Sequence, residues 1–269
     1  MGVKSLSKFI ETHAPGSLTS TSLKEYSHCT LAVDVSIYMY RFSSVVNDSP
    51  DMCCMQFMKF HKKLKSHNIY PVYVFDGFPP KTKIHTINKR KEKQAKSNRV
   101  RVTGEHFRKL KECFDKMGFD HLTANGDAEK TCSWMCFNRI ADAVVSDDYD
   151  ALVYGAPRVV RNVNSNNVTE IDLNRLLQDS ELNFNEFVTL CVLSGCDFTP
   201  QGMKMGFKKA FEMIKSDVQI PSEFCDAVNE FRHKDSPTFG KVKSRIMMKH
   251  VMQVLVFVCC AKKILWIGK

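Results

Sequence analysis

The sequence predicts an α/β domain: a central, mostly parallel, twisted sheet flanked by helices. Three observations carry that expectation. Short apolar runs of strand length, Cys29–Val35, Tyr70–Asp76 and the pair Val144–Val145, alternate with longer stretches whose apolar residues recur at helical spacing. Each run ends at or beside an aspartate: Asp34, Asp76, and Asp148 with Asp150. The chain has 269 residues, 43% of them hydrophobic, which is enough for a substantial core and excludes an intrinsically disordered chain.

In order, Val3–Ile10 reads as a short amphipathic helix with Val3, Leu6, Phe9 and Ile10 on one face. Pro15–Ser22 reads as polar punctuation. Cys29–Val35, CTLAVDV, is a buried strand, and a helix follows through Tyr38, Tyr40 and Phe42. Met55–Leu64 has helical spacing and a basic outer face, and Tyr70–Asp76, YPVYVFD, is a second strand closed by Gly77. Pro79–Pro80 stops any regular element. Phe107–Met117 is an amphipathic helix. Asn125–Trp134 begins another, with Asn125 or Asp127 as a cap and acids in the first turn. Val144–Gly155, VVSDDYDALVYG, is a strand end followed by a DxD pair; in extended chain its two carboxylates share a face, about 6–7 Å apart. Arg158–Val163 and Val168–Ile171 are short strands, and Leu173–Leu177 and Phe184–Ser194 are helices, the second followed by Gly195 and Asp197. Lys204–Ile214 is a basic helix entered through Gly206, and Ile220–Lys269 is helical in pattern. No internal repeat or low-complexity segment is visible.

Charge is uneven along this chain. Lys and Arg number 39 against 29 acids, a net +10, with a pI near 9.0, which favours a polyanionic partner. Lys81–Arg101 alone holds nine Lys/Arg and one acid, Glu92, and so carries most of that excess. It is too polar for a packed face; a solvated basic helix and a phosphate-binding element both fit. Eleven cysteines lack metal-ligand spacing and read as reduced thiols. The start, MGVKSLSKF, lacks a signal core and the myristoylation pattern, and Val251–Ala261 is too short to span a membrane.

The acids carry the chemistry. An isolated DxD is also the composition of a solvated turn, and helix capping alone accounts for Asp127 and Glu129. If the sheet is parallel, however, Asp34, Asp76, Asp148 and Asp150 converge beyond its strand ends, where ligands bind in such folds. Asp197, Asp127 and Glu129 follow or begin helices nearby. Such a cluster repels itself unless hard divalent cations sit within it, and an oxygen-only donor set suits Mg²⁺ or Mn²⁺. Two ions about 3.5–4 Å apart are a common device for phosphodiester cleavage. A metal-dependent nuclease follows from these residues.

Six segments, MGVKSLSKFI, LAVDVSIYMY, PVYVFDGFPPKTK, GDAEKTC, SDDYDALVYG and LCVLSGCDFTP, occur in the order seen in the XPG-type structure-specific 5′ nucleases. The chain resembles that family over about residues 1–215. The resemblance implies a PIN-like nuclease core with a helical gateway at 81–103 and a duplex-binding turn at 198–215, followed by a C-terminal helical extension at 216–269. It implies two Mg²⁺ ions held by Asp34, Asp76, Asp127, Glu129, Asp148, Asp150 and Asp197; Asp147 matches no ligand. Lys83 and Arg90 match cations that contact the scissile phosphate, Tyr40 an aromatic on which a base stacks, and Gly2 a residue whose freed amino group lies near the site. Lys204, Gly206, Lys208 and Lys209 fall in the duplex-binding turn.

Three features depart from the flap endonuclease pattern. Asp127 stands where a longer Glu is usual. Asp127 follows Asp76 by only 51 positions, which predicts a reduced arch. Lys204-Met205-Gly206 replaces Gly-x-Gly, and a sliding-clamp-binding tail is not evident. The expectation is a Mg²⁺-dependent 5′ nuclease acting on branched, flapped or nicked DNA, in the nucleus or at another intracellular site of DNA replication. A 5′–3′ exonuclease or RNA endonuclease of the same family, a non-catalytic DNA-binding scaffold, and a small phosphatase are the other readings. The set of mutually repelling acids argues against the scaffold, and the extended basic stretch argues against the phosphatase.

Overall fold

The structure, a computed structural model, describes Val3 and residues 5–46, 49–78, 102–165, 167–199, 203–216, 224–231 and 242–243. Gly2, Lys83, Arg90 and the whole basic stretch Lys81–Arg101 lie outside the described residues.

Helix α1 (Leu6–His13) and strand β1 (Leu18–Ser22) lead into β2 (Thr30–Asp34), helices α2 (Val35–Val45) and α3 (Pro50–Ser66), and β3 (Tyr70–Phe75). Next come α4 (Gly104–Met117), β4 (His121–Thr123), α5 (Ala128–Phe137), β5 (Ala143–Val145), a one-turn α6 (Asp150–Val153), β6 (Arg158–Arg161) and β7 (Asn167–Asp172). Helices α7 (Leu173–Ser180), α8 (Phe184–Ser194), α9 (Phe207–Lys215) and α10 (Cys225–Glu230), and the two-residue strand β8 (Val242–Lys243), complete the described chain. The strands form one sheet in the order β1-β7-β6-β5-β2-β3-β4-β8. Its five central strands, β6 to β4, are parallel, while β1, β7 and β8 join antiparallel at the two edges.

A parallel strand covered on both faces should be apolar through its covered length: β5 is Ala143-Val144-Val145, β3 is buried from Pro71 to Phe75, and β2 is apolar from Leu31 to Val33 before it ends on Asp34. Side chains alternate between two core layers, as the two-residue repeat of a strand requires. Ala32, Val72, Val74 and Val144 meet Leu6, Phe9, Ile10 and Leu190 on one face. Leu31, Val33, Tyr73, Phe75 and Val145 meet Phe57, Leu64, Leu110 and Phe114 on the other. The register sets Asp34 opposite Val74, Val33 opposite Val145 and Phe75 opposite Thr123, so β2, β3, β4 and β5 all end along one edge.

Several elements differ from expectation. Pro15–Ser22 contains β1, a polar edge strand paired with β7 through backbone hydrogen bonds, which hydropathy does not reveal. The three-residue β4 is too short to show a period. Within the stretch expected to be helical beyond Ile220, α10 is helical but Val242–Lys243 extends the sheet beside β4. The DxD segment is not extended: the chain turns after Ser146, and Asp150 opens α6. The described cysteines are all free. No described helix is long and apolar enough to cross a membrane.

Candidate active site

The acidic edge is assembled from the ends of successive βα units. Asp34 is the last residue of β2 and the N-cap of α2; its carboxylate accepts the Ser36 N–H at 2.9 Å and the Ser146 hydroxyl at 3.2 Å. Asp76 follows β3. It accepts the Ser36 hydroxyl on one oxygen and, at 2.7 Å, the Ala128 N–H on the other, so it caps α5 from outside that helix. This corrects the capping expectation: Asp127 occupies the N-cap position, yet its side chain makes no capping bond and instead accepts the Tyr154 hydroxyl at 2.7 Å. Glu129 stands in the first turn of α5.

From the other side of the edge, Ser146 accepts the Asp148 N–H at 3.2 Å, and Asp148 accepts the Tyr149 N–H at 2.7 Å. Asp150 accepts the backbone N–H of Val3 at 3.1 Å, which brings the N-terminal segment to the site. One carboxylate oxygen each from Glu129, Asp148 and Asp150 lie within 4.8 Å of one another. A turn, and not an extended strand, achieves this closeness between Asp148 and Asp150.

Burial and mutual repulsion define the electrostatics. Asp34 is 1% exposed; burial, with the charges of Asp76 and then Asp148 adding to it, holds its carboxyl well above the usual range. Asp148, 4% exposed, is raised chiefly by burial and also by Asp197. Asp197 lies beyond α8, past Gly195, and its charge reaches this cluster. Cys132 on α5 faces Asp34, Glu129 and Asp76; burial keeps its thiol protonated, so the available donors are oxygens. Clustered carboxylates, three of them buried and with no soft ligand deprotonated, fit a hard divalent cation.

Residues that sequence reasoning did not single out hold the acids in place. Asp147 faces away from them: it pairs with Arg41 and accepts the Asn162 N–H at 2.8 Å. Arg161 donates to the Asp147 carbonyl at 2.7 Å and lies 4.0 Å over the Tyr149 ring. Together these contacts clamp both sides of the DxD turn. Ser36, Ser146 and Tyr154 were legible only as polar residues within acid-rich segments.

Tyr40 lies on α2 with 40% of its surface exposed. Gly206 is the N-cap of α9, and Lys204, Lys208 and Lys209 are exposed around it. The Met205 N–H donates to the Leu193 carbonyl at 2.9 Å, and the Lys204 side chain packs against Gly195. This basic segment therefore adjoins the loop that carries Asp197.

Residues 1–97 match the XPG N-terminal domain, and residues 118–197 match the XPG I-region. Flap endonuclease 1 of Encephalitozoon cuniculi is 31% identical over 275 residues, covering 88% of this chain and 80% of that protein. The solved flap endonuclease-1 from Methanococcus jannaschii superposes with a TM-score of 0.70 at 25% identity, over 88% of this chain and 87% of that one. The catalytic core of Rad2 in complex with a DNA substrate shares the fold, with a TM-score of 0.71 at 22% identity, over 94% of this chain and 95% of that one.

Proposed function

The chain belongs to the XPG family of nucleases, which hydrolyse DNA, and on that premise we propose that it is a Mg²⁺-dependent, structure-specific 5′ nuclease that cuts flapped, branched or nicked DNA with two metal ions. One observation carries the reading: separate βα units, distant in sequence, deliver carboxylates to a single edge of the sheet, and those of Asp34, Asp148 and Asp150 are buried there. Burying like charges together is unfavourable by itself and has a rationale only if cations join them.

Asp148, Asp150 and Glu129 would hold one ion, and Asp34, Asp76, Asp127 and Asp197 would complete the pair of sites. When bound, the ions supply positive charge to the scissile phosphate and a hydroxide at neutral pH. The chain's own groups orient the ligands: Ser36 bridges Asp34 and Asp76, Ser146 bridges Asp34 and the Asp148 backbone, and Tyr154 holds Asp127. Lys83 and Arg90 are assigned to the phosphate that is transferred, Tyr40 to a stacked base, and Gly2 to the N-terminal approach. Lys204, Gly206, Lys208 and Lys209 are assigned to the duplex beyond the cut. We place the enzyme where branched DNA arises, in the nucleus or another intracellular replication site.

A panel of labelled substrates tests this: a 5′ flap, a nick, a four-way junction, single-stranded DNA and RNA, each with Mg²⁺ and then with EDTA. Cleavage of the branched DNAs that EDTA abolishes is the expected result. Cleavage that persists in EDTA removes the metal assignment, and preference for RNA or unbranched strands removes the substrate assignment.

A further inference from the structure

The face of α3 turned away from the sheet carries an apolar groove that plays no part in the acidic edge. Met55 and Met58 of α3, with Met117 and Phe119 at the far end of α4, line a cavity of about 540 Å³. That volume lies in the range of roughly 300–1,000 Å³ typical of ligand pockets. The methionines are 54%, 37% and 49% exposed, an unusual display of apolar surface. Lys59, Lys62 and Lys65 rim the groove and are exposed. They recur with Met55 and Met58 at helical spacing, so apolar floor and basic rim share one face of α3. None of the three lysines makes an ion pair among the described residues.

The floor is braced from beneath. His61 stacks on Phe119 with ring centroids 3.6 Å apart, and its Nδ1 meets the Tyr73 hydroxyl at 3.1 Å. The groove runs toward the edge where β3 and β4 begin, since Lys65 reaches over the Tyr70 ring and Phe119 stands two residues before His121. The acids stand at the opposite edge.

We propose that this groove docks an acidic amphipathic helix of a partner protein. A helix with apolar residues at i, i+3, i+4 and i+7 fills such a groove, and methionine side chains adapt to varied apolar anchors. Carboxylates flanking those anchors would meet the lysine rim. The other occupants fit less well. Duplex DNA would engage the lysines but leave the apolar floor wet. A second copy related by a two-fold axis would set one lysine row against another. The chain's own apolar run Val251–Ala261 is flanked by Lys249, Lys262 and Lys263, the same sign as the rim.

The test uses the full chain and a fluorescein-labelled helical peptide of about four turns, with leucines on one face and glutamates beside them. Fluorescence anisotropy should show saturable binding that weakens with salt. Met58→Glu, and separately Lys59→Glu with Lys62→Glu, should each weaken it by at least about tenfold. Both variants should cut a 5′ flap within about twofold of the wild-type rate, because the groove is remote from the site. A matching peptide with lysine in place of glutamate should bind at least about tenfold more weakly. Equal binding by the variants or by the lysine peptide overturns the proposal. So does tighter binding of a peptide spanning residues 249–263, or a dimer in sedimentation that either variant dissociates.

Discussion

Asp148 bears its charge where burial, and then Asp197, disfavour it. Replacing it with asparagine removes one member of a repelling set and keeps the shape. Without metal, Asp148→Asn should therefore melt above the wild type, on the scale of about 2–4 °C for each kcal/mol relieved. Mg²⁺ should raise the wild-type melting temperature and leave that of the variant nearly unchanged, while cleavage is lost and DNA affinity is retained. A variant that melts lower without metal, or still cuts, contradicts the electrostatic account. His61 gives a second test at this scale. Burial, with Lys65 adding to it, lowers its pKa from 6.5 to about 4, so the ring is neutral between Tyr73 and Phe119 at physiological pH. The sign follows from linkage: a depressed histidine contributes stability above pH 6.5 and loses it as pH falls toward 4. Thermal melts from pH 7 to pH 4 should show wild type losing more stability than His61→Gln; parallel profiles would refute the neutral, buried ring.

At the scale of elements, the acids depend on how closely successive βα loops approach. Gly77 donates its N–H to the Gly126 carbonyl at 2.8 Å, and a Cβ at Gly77 would stand 2.0 Å from the Ala124 carbonyl oxygen. No backbone can absorb such an overlap in place, so the β3 loop must move and take Asp76 from the Ala128 N–H it caps. Gly77→Ala should lower stability by about 1–3 kcal/mol, as overpacking does, and reduce cleavage by more than its effect on DNA binding. Gly104 is the control: a Cβ there meets nothing within 4 Å, and it opens α4. Gly104→Ala should be neutral or stabilising by up to about 1 kcal/mol. Thermal melts of the two variants decide the matter, and equal shifts would mean that the loop approach is not what fixes Asp76. The same scale explains which elements were legible. α8 matches its sequence expectation residue for residue because its apolar periodicity, its Asn183–Glu186 capping box and Gly195 agree. β1 did not show, because a polar edge strand is specified by the neighbour it pairs with.

For the whole molecule, the question is how a strand reaches the acids. The basic segment at Lys204 flanks the loop of Asp197, and α9 stacks Phe207 on Phe9 of α1, so α1 and α9 form one body. Between Asp76 and the start of α4 at Gly104, few residues are available for an arch. At about 3.6 residues per turn, a helix pair from that length, less a connecting loop, would have only about three turns each, a short arch with which to enclose a strand. A free 5′ end should then be dispensable. A 5′ flap blocked with streptavidin before the enzyme is added should be cut at close to the unblocked rate, and gapped or bubble DNA should be cut as well. Near-complete inhibition by streptavidin would show that the strand must be threaded.

Local pattern alone determined much of this protein. Apolar runs ending in Asp34 and Asp76, helical spacing in α3 and α8, and the acid-rich turn after Val145 are properties of neighbouring residues, and they pointed to a parallel sheet with acids at its strand ends. Tertiary structure decided the rest. Strand register brought Asp34, Asp76 and the DxD turn to one edge, and register is set by pairing between segments far apart in sequence. The turn conformation of Asp148–Asp150 depends on Arg41, Arg161 and Val3, which reach it from elsewhere in the chain. Tyr154 meets Asp127 only because α5 and α6 pack together. Side-chain periodicity records which face of an element is buried; it carries no record of which distant group will stand opposite, because that is settled by packing among all the elements at once.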